Sequence, residues 1–245
     1  MIVAKTGKTS IREWWINSWP RAYISKTIIA VRMPKFYVNF GVDTKTGKSY
    51  SERLVELPFL FRNIREPPAE VLDIGCTCSI LSIQLAMLGY SVTGIDIQNY
   101  YFRHKNFDFV KGDFNTYDFK GKKFDIIVDI SAIEHFGLHT FSNMKLDLDA
   151  DRKAMRKIRA MLKPGGQLII TAPFGVHELV GNFQRIYGKK DMKDMLKGFR
   201  IDNSRYYRIR NGSALLPIDA RTAERVKYDA KNGEYAVVMI SATRV

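Results

Sequence analysis

The chain has few cysteines and no long apolar run, and both absences limit the classes of protein to which it can belong. Cys76 and Cys78 are its two cysteines, one residue apart in an apolar segment. Two thiols at that spacing make neither a disulfide framework nor a zinc site, so we expect a reducing, cytoplasmic location. No apolar run approaches the roughly 18 residues of a membrane span. The N-terminus also lacks the apolar core of a secretory signal.

Acidic residues are scarce relative to basic ones. The 25 Asp and Glu residues oppose 39 Lys and Arg, which leaves a formal net charge of +14. Half of that excess falls in residues 1–50, where nine basic residues oppose two acids. Such an excess of positive charge attracts nucleic acid, anionic lipid or phosphorylated substrates, but it is equally typical of a solvated basic surface on an enzyme.

A change of composition near residues 65–68 (REPP) predicts a boundary. We interpret residues 1–66 as a basic, aromatic N-terminal extension that acts as a lid or docking element, and residues 67–245 as the main domain. Within the extension, Trp14, Trp15 and Trp19 recur at helical spacing until Pro20. Apolar residues after Ser51 predict a second helix that packs on the main domain, with Leu54, Val55, Leu57, Leu60 and Phe61 on its apolar face.

From residue 71 onward, short apolar runs alternate with helical patterns. This alternation predicts an α/β fold with a doubly wound, mostly parallel sheet. The predicted strands are 71–74, 92–95, 107–110, 124–128 and one beginning at 168, and the predicted helices are 80–88 and one capped by Asp149 or Asp151. Two longer strands, 199–210 and 234–243, are expected to form an antiparallel closing pair joined by an irregular stretch.

The carboxyl ends of the first two predicted strands indicate a nucleoside-containing ligand. Gly75 follows the first strand and lets the backbone approach a ligand closely. Asp96 ends the second strand, where a carboxylate can accept hydrogen bonds from both hydroxyls of a ribose. The dinucleotide motif G-x-G-x-x-G is absent, and Asp73 would repel a pyrophosphate. The alternative for Asp73 and Asp96 is that they cap loops.

Residues 69–173 resemble the class I S-adenosylmethionine-dependent methyltransferases. The resemblance is carried by five motifs in order: 71–76 (VLDIGC), 89–96 (GYSVTGID), 112–113 (GD), 124–128 (FDIIV) leading to 133–135 (IEH), and 159–168 (RAMLKPGGQL). Residues 131–137 and 151–155 are also similar to methyltransferases of glycan and natural-product gene clusters. The resemblance implies a Rossmann-like sheet of seven strands whose last strand is antiparallel.

The same resemblance implies S-adenosyl-L-methionine as cofactor and assigns its contacts. It places Asp73 and Gly75 near the methionine part, Asp96 on the ribose, Asp113 near the adenine amino group, and the backbone of Ile130 and Ser131 along the methyl-donor pocket. The other expected cofactor contacts are Cys76, Ser79, Ile97 and Phe114. Thr77 and Ser79 depart from the family pattern, which often has glycine at both positions. Thr77 would either crowd the cofactor or hydrogen-bond its carboxylate, and a degenerate, inactive copy is the alternative.

For catalysis, the sequence favours His135 beside Glu134, because a histidine after the fourth strand can accept a proton near neutral pH. A packed or loop-capping histidine is the alternative. His139 lies four residues further, His177 is expected to reach the same pocket, and Tyr187 is interpreted as part of a substrate lid. No metal site is expected, because Ser131 stands where metal-binding quinone-pathway O-methyltransferases carry an additional acid.

The expected acceptor is an oxygen or nitrogen atom of a small molecule or glycan unit. The extension around Trp14 is expected to cover the acceptor side of the cofactor site. One alternative is an RNA methyltransferase, because cations are interleaved with aromatic residues: Arg185, Lys189, Lys190, Lys193, Lys197 and Arg200 near Tyr187 and Phe199. The other is a non-catalytic binding or scaffold protein whose tryptophan helix docks on a partner or an anionic membrane. The sequence predicts no oligomeric state.

Overall fold

A computed structural model describes residues 52–138, 146–211 and 214–245. The expectations for the N-terminal extension before residue 52, including the Trp14 helix, and for His139 concern residues outside these ranges. The helices are α1 (Arg53–Asn63), α2 (Leu81–Met87), α3 (Ala150–Met161), α4 (Lys189–Met195) and α5 (Ala220–Ala223). The strands are β1 (Glu70–Ile74), β2 (Ser91–Asp96), β3 (Phe107–Lys111), β4 (Phe124–Ile130), β5 (Leu162–Phe174), β6 (Glu178–Val180), β7 (Gln184–Ile186), β8 (Phe199–Arg210), β9 (Ala214–Ile218) and β10 (Tyr235–Arg244).

The central sheet is mostly parallel and carries an antiparallel last strand, which confirms the predicted fold class. Its strand order is β3-β2-β1-β4-β5-β10-β8-β9. Strands β1 to β5 run parallel to one another. Strand β10 runs antiparallel to both β5 and β8, so the predicted closing pair is confirmed as well.

Within the described residues the sheet has eight strands, so the prediction of seven was wrong by one edge strand. Strand β9 pairs antiparallel with β8, in the stretch between β8 and β10 that the sequence indicated to be irregular. It is five residues long and contains Pro217, a residue that discourages a strand prediction. At the edge of a sheet, however, the missing N–H of a proline can face away from the ladder at no cost.

Both faces of the sheet are buried, because successive residues of β4 belong to different apolar clusters. Ile127 packs in the cluster with Met155 and Ile158 of α3. Ile126 and Val128 pack in the other cluster, with Leu81 and Leu85 of α2 and with Phe59 and Leu60 of α1. Near-continuous apolar runs such as β4 are typical of strands covered on both sides.

Helix α1 packs on the main domain as predicted. Of the apolar residues named for it, Leu60 is buried and Val55 and Leu57 pack on the same cluster, whereas Leu54 is 55% and Phe61 37% exposed. The buried face also contains Glu56, which the apolar pattern does not indicate, because a carboxylate that finds buried hydrogen-bond partners can occupy a core position.

The strand order reverses beside β1 and positions the candidate site. From β1 the chain builds β2 and β3 on one side, and it then crosses back to build β4 and β5 on the other side. The connections leave a crevice outside the carboxyl ends of β1 and β4, where open α/β sheets bind ligands. The segments that follow β1, β2 and β4 therefore form the candidate site.

Candidate functional site

The turn after β1 approaches the end of β4 closely. Gly75 adopts a left-handed conformation with φ +71°, and a Cβ placed on it would lie 2.5 Å from the Cβ of Ala132. Only glycine fits this turn without displacing the segment after β4. Ser79 follows a short 3-10 turn, and its Oγ accepts a hydrogen bond of 2.9 Å from the N–H of Leu81 at the start of α2.

Asp73 lies beneath this turn with its carboxyl group buried. Its Oδ2 accepts a 2.5 Å hydrogen bond from the hydroxyl of Ser82 in α2. Burial raises the pKa of Asp73 to about 7, although the bond from Ser82 and the charge of Arg53 oppose that shift. The carboxyl group thus ties β1 to α2, as the loop-capping interpretation expects.

Asp96 joins the end of β2 to the turn after β1. Its Oδ2 accepts hydrogen bonds from the N–H of Thr77 at 3.0 Å and from the hydroxyl of Thr77 at 2.7 Å. Its Oδ1 accepts one from the N–H of Gln98 at 2.8 Å. A carboxylate offers about four acceptor positions, so one remains on Oδ1. The departure from the family pattern at Thr77 therefore fills an acceptor position of the carboxylate assigned to the ribose.

Two of the predicted cofactor contacts have side chains that belong to the core. The thiol of Cys76 is buried, which raises its pKa, and a Cβ on Gly94 would lie 2.8 Å from its sulfur. The ring of Phe114 packs in an apolar cluster near the ring of Phe136, with their centroids 6.3 Å apart. Any contact of Cys76 or Phe114 with a ligand would therefore come from the backbone.

The remaining predicted contacts on the β2 and β3 side lie in loops at the same edge of the sheet. Asp113 is half-buried, and its Oδ1 accepts a 2.8 Å hydrogen bond from the N–H of Asn115. Ile97 is half-buried directly after Asp96. The roles assigned to these two residues stay predictions.

The end of β4 contacts α1 through a buried carboxylate that the sequence analysis missed. Ile130 is buried, and Ser131 has φ +49°. The hydroxyls of Ser131 and Thr171 each donate a 2.6 Å hydrogen bond to Oε1 of Glu56. Arg53 Nη1 lies 2.5 Å from Oε2 of the same carboxylate. Helix α1, which was assigned to the N-terminal extension, therefore supplies part of the wall of the site.

Two buried carboxyl groups, one near the end of β4 and one in the segment after it, have oxygens that lack a hydrogen-bond partner within the described part of the chain: Oδ2 of Asp129 and Oε2 of Glu134. Oδ1 of Asp129 accepts bonds from the N–H groups of Ala132 at 3.3 Å and Ile133 at 3.1 Å. Burial raises the pKa of Asp129 to about 7 and that of Glu134 well above its usual range. Buried oxygens without partners are uncommon in folded proteins, and they indicate a place where a ligand or water supplies a donor.

His135 lies beside Glu134 as a neutral imidazole. Its Nδ1 is 2.7 Å from the carbonyl oxygen of Phe183, and because a carbonyl only accepts, Nδ1 carries the proton. The lone pair is then on Nε2, which lies 3.8 Å from Oε1 of Glu134. Burial lowers the pKa of His135, the bond to Phe183 opposes that shift, and the charges of Arg53 and Arg185 add to it. Such an imidazole can accept a proton near pH 7.

Arg185 is buried, so its interpretation as an RNA-contacting cation was wrong. Its guanidinium donates to the carbonyl oxygens of Glu134 and Phe136 at 3.2 and 2.7 Å. It also donates to those of Asp147 and Leu148 at 3.4 and 3.1 Å. Arg185 therefore fastens the segment after β4 to the approach to α3 and fixes the backbone around Glu134.

Tyr187 is part of the core, so the interpretation as a substrate lid was wrong. It is 2% exposed, and its hydroxyl donates a 3.0 Å hydrogen bond to Oδ2 of Asp151 in α3. The aromatic surface expected between the cations of residues 185–200 is therefore missing at this position. Lys189, Lys190 and Lys197 form ion pairs of 2.9 to 3.0 Å with Glu224 and Asp194, which is typical of a solvated basic surface.

His177 pairs with an acidic residue of α4 and is exposed. Its Nδ1 is 2.7 Å from Oδ2 of Asp191 in α4, and its side chain is 64% exposed. Among the residues that the structure describes, no group of three His, Cys, Asp or Glu side chains is arranged to hold a metal ion. No helix within those same residues is both long and apolar enough to span a membrane.

Comparison with known proteins places this architecture among methyltransferase folds. A family model described as "Caenorhabditis protein of unknown function, DUF268" matches residues 77–239. No curated protein matches the chain.

Solved structures of methyltransferases have the same fold at low sequence identity. A putative methyltransferase from Bacillus halodurans is 15% identical with a TM-score of 0.56, over 77% of this chain and 98% of its own. The N-methyltransferase NodS from Bradyrhizobium japonicum, in complex with S-adenosylhomocysteine, is 13% identical with a TM-score of 0.51, over 79% and 87%. A Burkholderia thailandensis 1,6-didemethyltoxoflavin-N1-methyltransferase is 16% identical with a TM-score of 0.50, over 98% and 93%. The likeness shows that the chain has the fold of class I S-adenosylmethionine-dependent methyltransferases.

Proposed function

We propose that this chain, which belongs to the family described as "Caenorhabditis protein of unknown function, DUF268", is an S-adenosylmethionine-dependent methyltransferase. It transfers the methyl group to an oxygen or nitrogen atom of a small molecule or glycan unit. The observation that carries this proposal is the meeting of the turns after β1, β2 and β4 at the point of strand reversal. In this fold that point is where a nucleoside-containing ligand binds.

The residues of the site fit such a cofactor. Gly75 has no Cβ that would clash with Ala132, so the turn after β1 and the segment after β4 can pack closely and bring their backbones to one edge of the site. Asp96 keeps one acceptor position on Oδ1 for a ribose hydroxyl beside the bond from Gln98. A second ribose bond requires the hydroxyl of Thr77 to turn away from Oδ2. Asp73, Ile97, Asp113 and Ser131 are the further contacts that we propose.

The end of β4 supplies the groups for proton transfer. The bound cofactor provides an electrophilic methyl group on a sulfonium, so the protein's main task is to position the acceptor and to take its proton. We propose that Nε2 of His135 accepts the proton of the methyl acceptor, because Nδ1 already carries a proton that it donates to the carbonyl oxygen of Phe183. Glu134, whose Oε2 lacks a partner within the described residues, orients the acceptor or the imidazolium that forms.

A small-molecule acceptor is supported by a solved neighbour that holds one. The Burkholderia thailandensis structure has 1,6-didemethyltoxoflavin bound together with S-adenosylhomocysteine. The placement of Arg185 and Tyr187 in the core also removes two of the residues that favoured the RNA alternative, one cation and one aromatic ring. An acceptor of modest size is therefore the better-supported class.

The proposal is tested by titrating the full-length protein with S-adenosylhomocysteine in a calorimeter and by screening metabolite extracts for transfer of a labelled methyl group. Gly75→Ala is expected to abolish binding, since its Cβ would displace Ala132. Gly165→Ala is the matched control, because Gly165 has the same φ of +71° and no heavy atom within 4 Å of its built Cβ. Absence of S-adenosylhomocysteine binding by the unmodified protein would overturn the proposal.

A further inference from the structure

A cavity of about 610 Å³ lies outside the candidate cofactor site, between β8, α5 and the approach to β10. Its position in the fold follows from the strand pairing. Arg208, which lines it, is opposite Ala236 in β10, and Ala236 is opposite Phe174 at the end of β5. Val226, another lining residue, accepts a 2.9 Å hydrogen bond from the N–H of Val176. The cavity is therefore at the carboxyl end of β5, on the same edge of the sheet as the ends of β1 and β4.

The acidic residues of this cavity are engaged in local hydrogen bonds. Asp219 accepts bonds from the N–H and hydroxyl of Thr222 at 2.9 and 2.6 Å. Asp229 accepts bonds from the N–H and side-chain amide of Asn232 at 3.0 and 2.7 Å. Glu234 pairs with Arg208 and, at 3.5 Å, with Arg210. Asp219 thus stabilises the start of α5 and Asp229 a turn, whereas Glu234 pairs with two arginines of β8.

Three cations that line the cavity form no ion pair with a carboxylate of the described residues. Arg221, Arg225 and Lys227 are exposed, and no carboxylate of the described residues forms an ion pair with any of them. Arg221 and Arg225 follow each other at a spacing of four residues, which places them on one side of the turn formed by α5 and its continuation. Four cations therefore line this concave surface against three carboxylates, and Arg221, Arg225 and Lys227 are the cations that no carboxylate of the described residues pairs with directly.

We propose that this cavity binds a phosphate or carboxylate group carried by the methyl acceptor, an assignment that rests on the proposed methyltransferase function. Guanidinium groups bind both oxyanions through paired hydrogen bonds, and the added charge of a lysine favours the same ligands. The volume lies within the roughly 300–1,000 Å³ usual for small-molecule sites. Since the cavity and the end of β4 share one edge of the sheet, a ligand anchored here by its anionic group directs its remainder along the edge toward His135.

The test measures anion binding by the full-length protein separately from cofactor binding. Pyrophosphate and malonate are titrated by calorimetry at constant ionic strength, as probes for a phosphate and a dicarboxylate, and S-adenosylhomocysteine is titrated in parallel. The variant Arg221→Gln/Arg225→Gln removes two lining charges. Its matched control, Lys105→Gln/Lys120→Gln, removes two exposed charges elsewhere on the surface.

We expect at least one of the two anions to bind the unmodified protein, and we expect the lining variant to lose about tenfold in affinity, as for the loss of a charge-assisted hydrogen bond. The control should bind as the unmodified protein does, and the preferred probe identifies the anionic group. Failure of both anions to bind, or an equal loss in the control, overturns the inference. Mixed single-stranded RNA is titrated in the same way, and binding of RNA without binding of either anion also overturns the inference. Loss of S-adenosylhomocysteine binding with intact anion binding would overturn the proposed function and not the cavity.

Discussion

The loops after β1 and β2 differ from the segment after β4 in how their carboxyl groups are satisfied. Asp73 bonds to Ser82, and Asp96 bonds to Thr77 and Gln98, so each oxygen named there has a donor from the protein. Near the end of β4 and in the segment after it, Oδ2 of Asp129 and Oε2 of Glu134 are buried without a partner in the described residues. A buried polar group left without a partner costs about 1–3 kcal/mol. The buried carboxyl oxygens of the first region are satisfied by the protein itself, whereas those of the second are completed by a ligand or a proton.

The largest expected effect tests the region after β4. His135→Ala should lower turnover by about 10²–10⁴, the range for loss of a general base. Affinity for S-adenosylhomocysteine should stay nearly unchanged, because the bond from His135 runs to Phe183 and not to the turns after β1 and β2. Steady-state kinetics and calorimetry measure the two quantities. His177→Ala, which removes an exposed histidine paired with Asp191, is the control and should keep full turnover.

The pH dependence of kcat/KM of the unmodified protein gives a second test of the role of His135. Burial lowers the pKa of His135, so its neutral form persists to a pH below the ordinary histidine value of about 6.5. The acidic limb of kcat/KM should therefore lie below pH 6.5. If His135→Ala retains most of its turnover with the limb unmoved, His135 is structural and catalysis depends on positioning alone.

The next effect in size tests the opposite region. Asp96→Ala should weaken binding of S-adenosylhomocysteine by about 1.5–3 kcal/mol, the range for hydrogen bonds to a charged group. The variant also loses the bonds from Thr77 and Gln98, so circular dichroism must show that it remains folded. Unchanged affinity in a folded variant would place the ribose elsewhere.

Much of the fold could be predicted from the sequence because local patterns determine it. Strands β1, β2 and β4 are five to seven residues long, a length that favours strands over helices, and Gly75 is required at the turn after β1. The additional strand β9 could not be predicted in this way. It depends on an edge of β8 that forms only in the folded chain.

The parts of the site that escaped prediction depend on contacts between distant residues. Arg53 and Glu56 have a spacing typical of a surface ion pair, and only the hydroxyls of Ser131 and Thr171 explain the burial of that carboxylate. Arg185 belongs to a segment with a basic composition, yet its partners are carbonyl oxygens some 37 to 51 residues earlier. The composition of a segment therefore does not predict which distant backbone groups its side chains contact in the folded chain.

A smaller expected effect is the dependence of the free energy of unfolding on pH that the buried Asp129 causes. Burial raises the pKa of Asp129 to about 7 from an unfolded value near 3.8, so the folded state keeps a proton that the unfolded state has released. Its stability should therefore fall as the pH rises from about 4 to 7. Asp129→Asn cannot titrate there, so its free energy of unfolding relative to the unmodified protein should increase across this range. Urea denaturation at several pH values measures this difference, with the exposed Asp108→Asn as control for charge. A difference that does not depend on pH contradicts the prediction.

The smallest effect concerns the bond between Thr77 and Asp96. Thr77→Val keeps the size of the side chain and the backbone N–H bond of 3.0 Å, but it removes the 2.7 Å bond from the hydroxyl. We expect the free energy of unfolding to fall by about 1 kcal/mol, as for a single hydrogen bond. Affinity for S-adenosylhomocysteine should not fall, because Oδ2 of Asp96 regains an acceptor position for the second ribose hydroxyl. If affinity falls as far as in Asp96→Ala, the hydroxyl of Thr77 is itself a cofactor contact. In that case the first region, like the second, depends on its ligand.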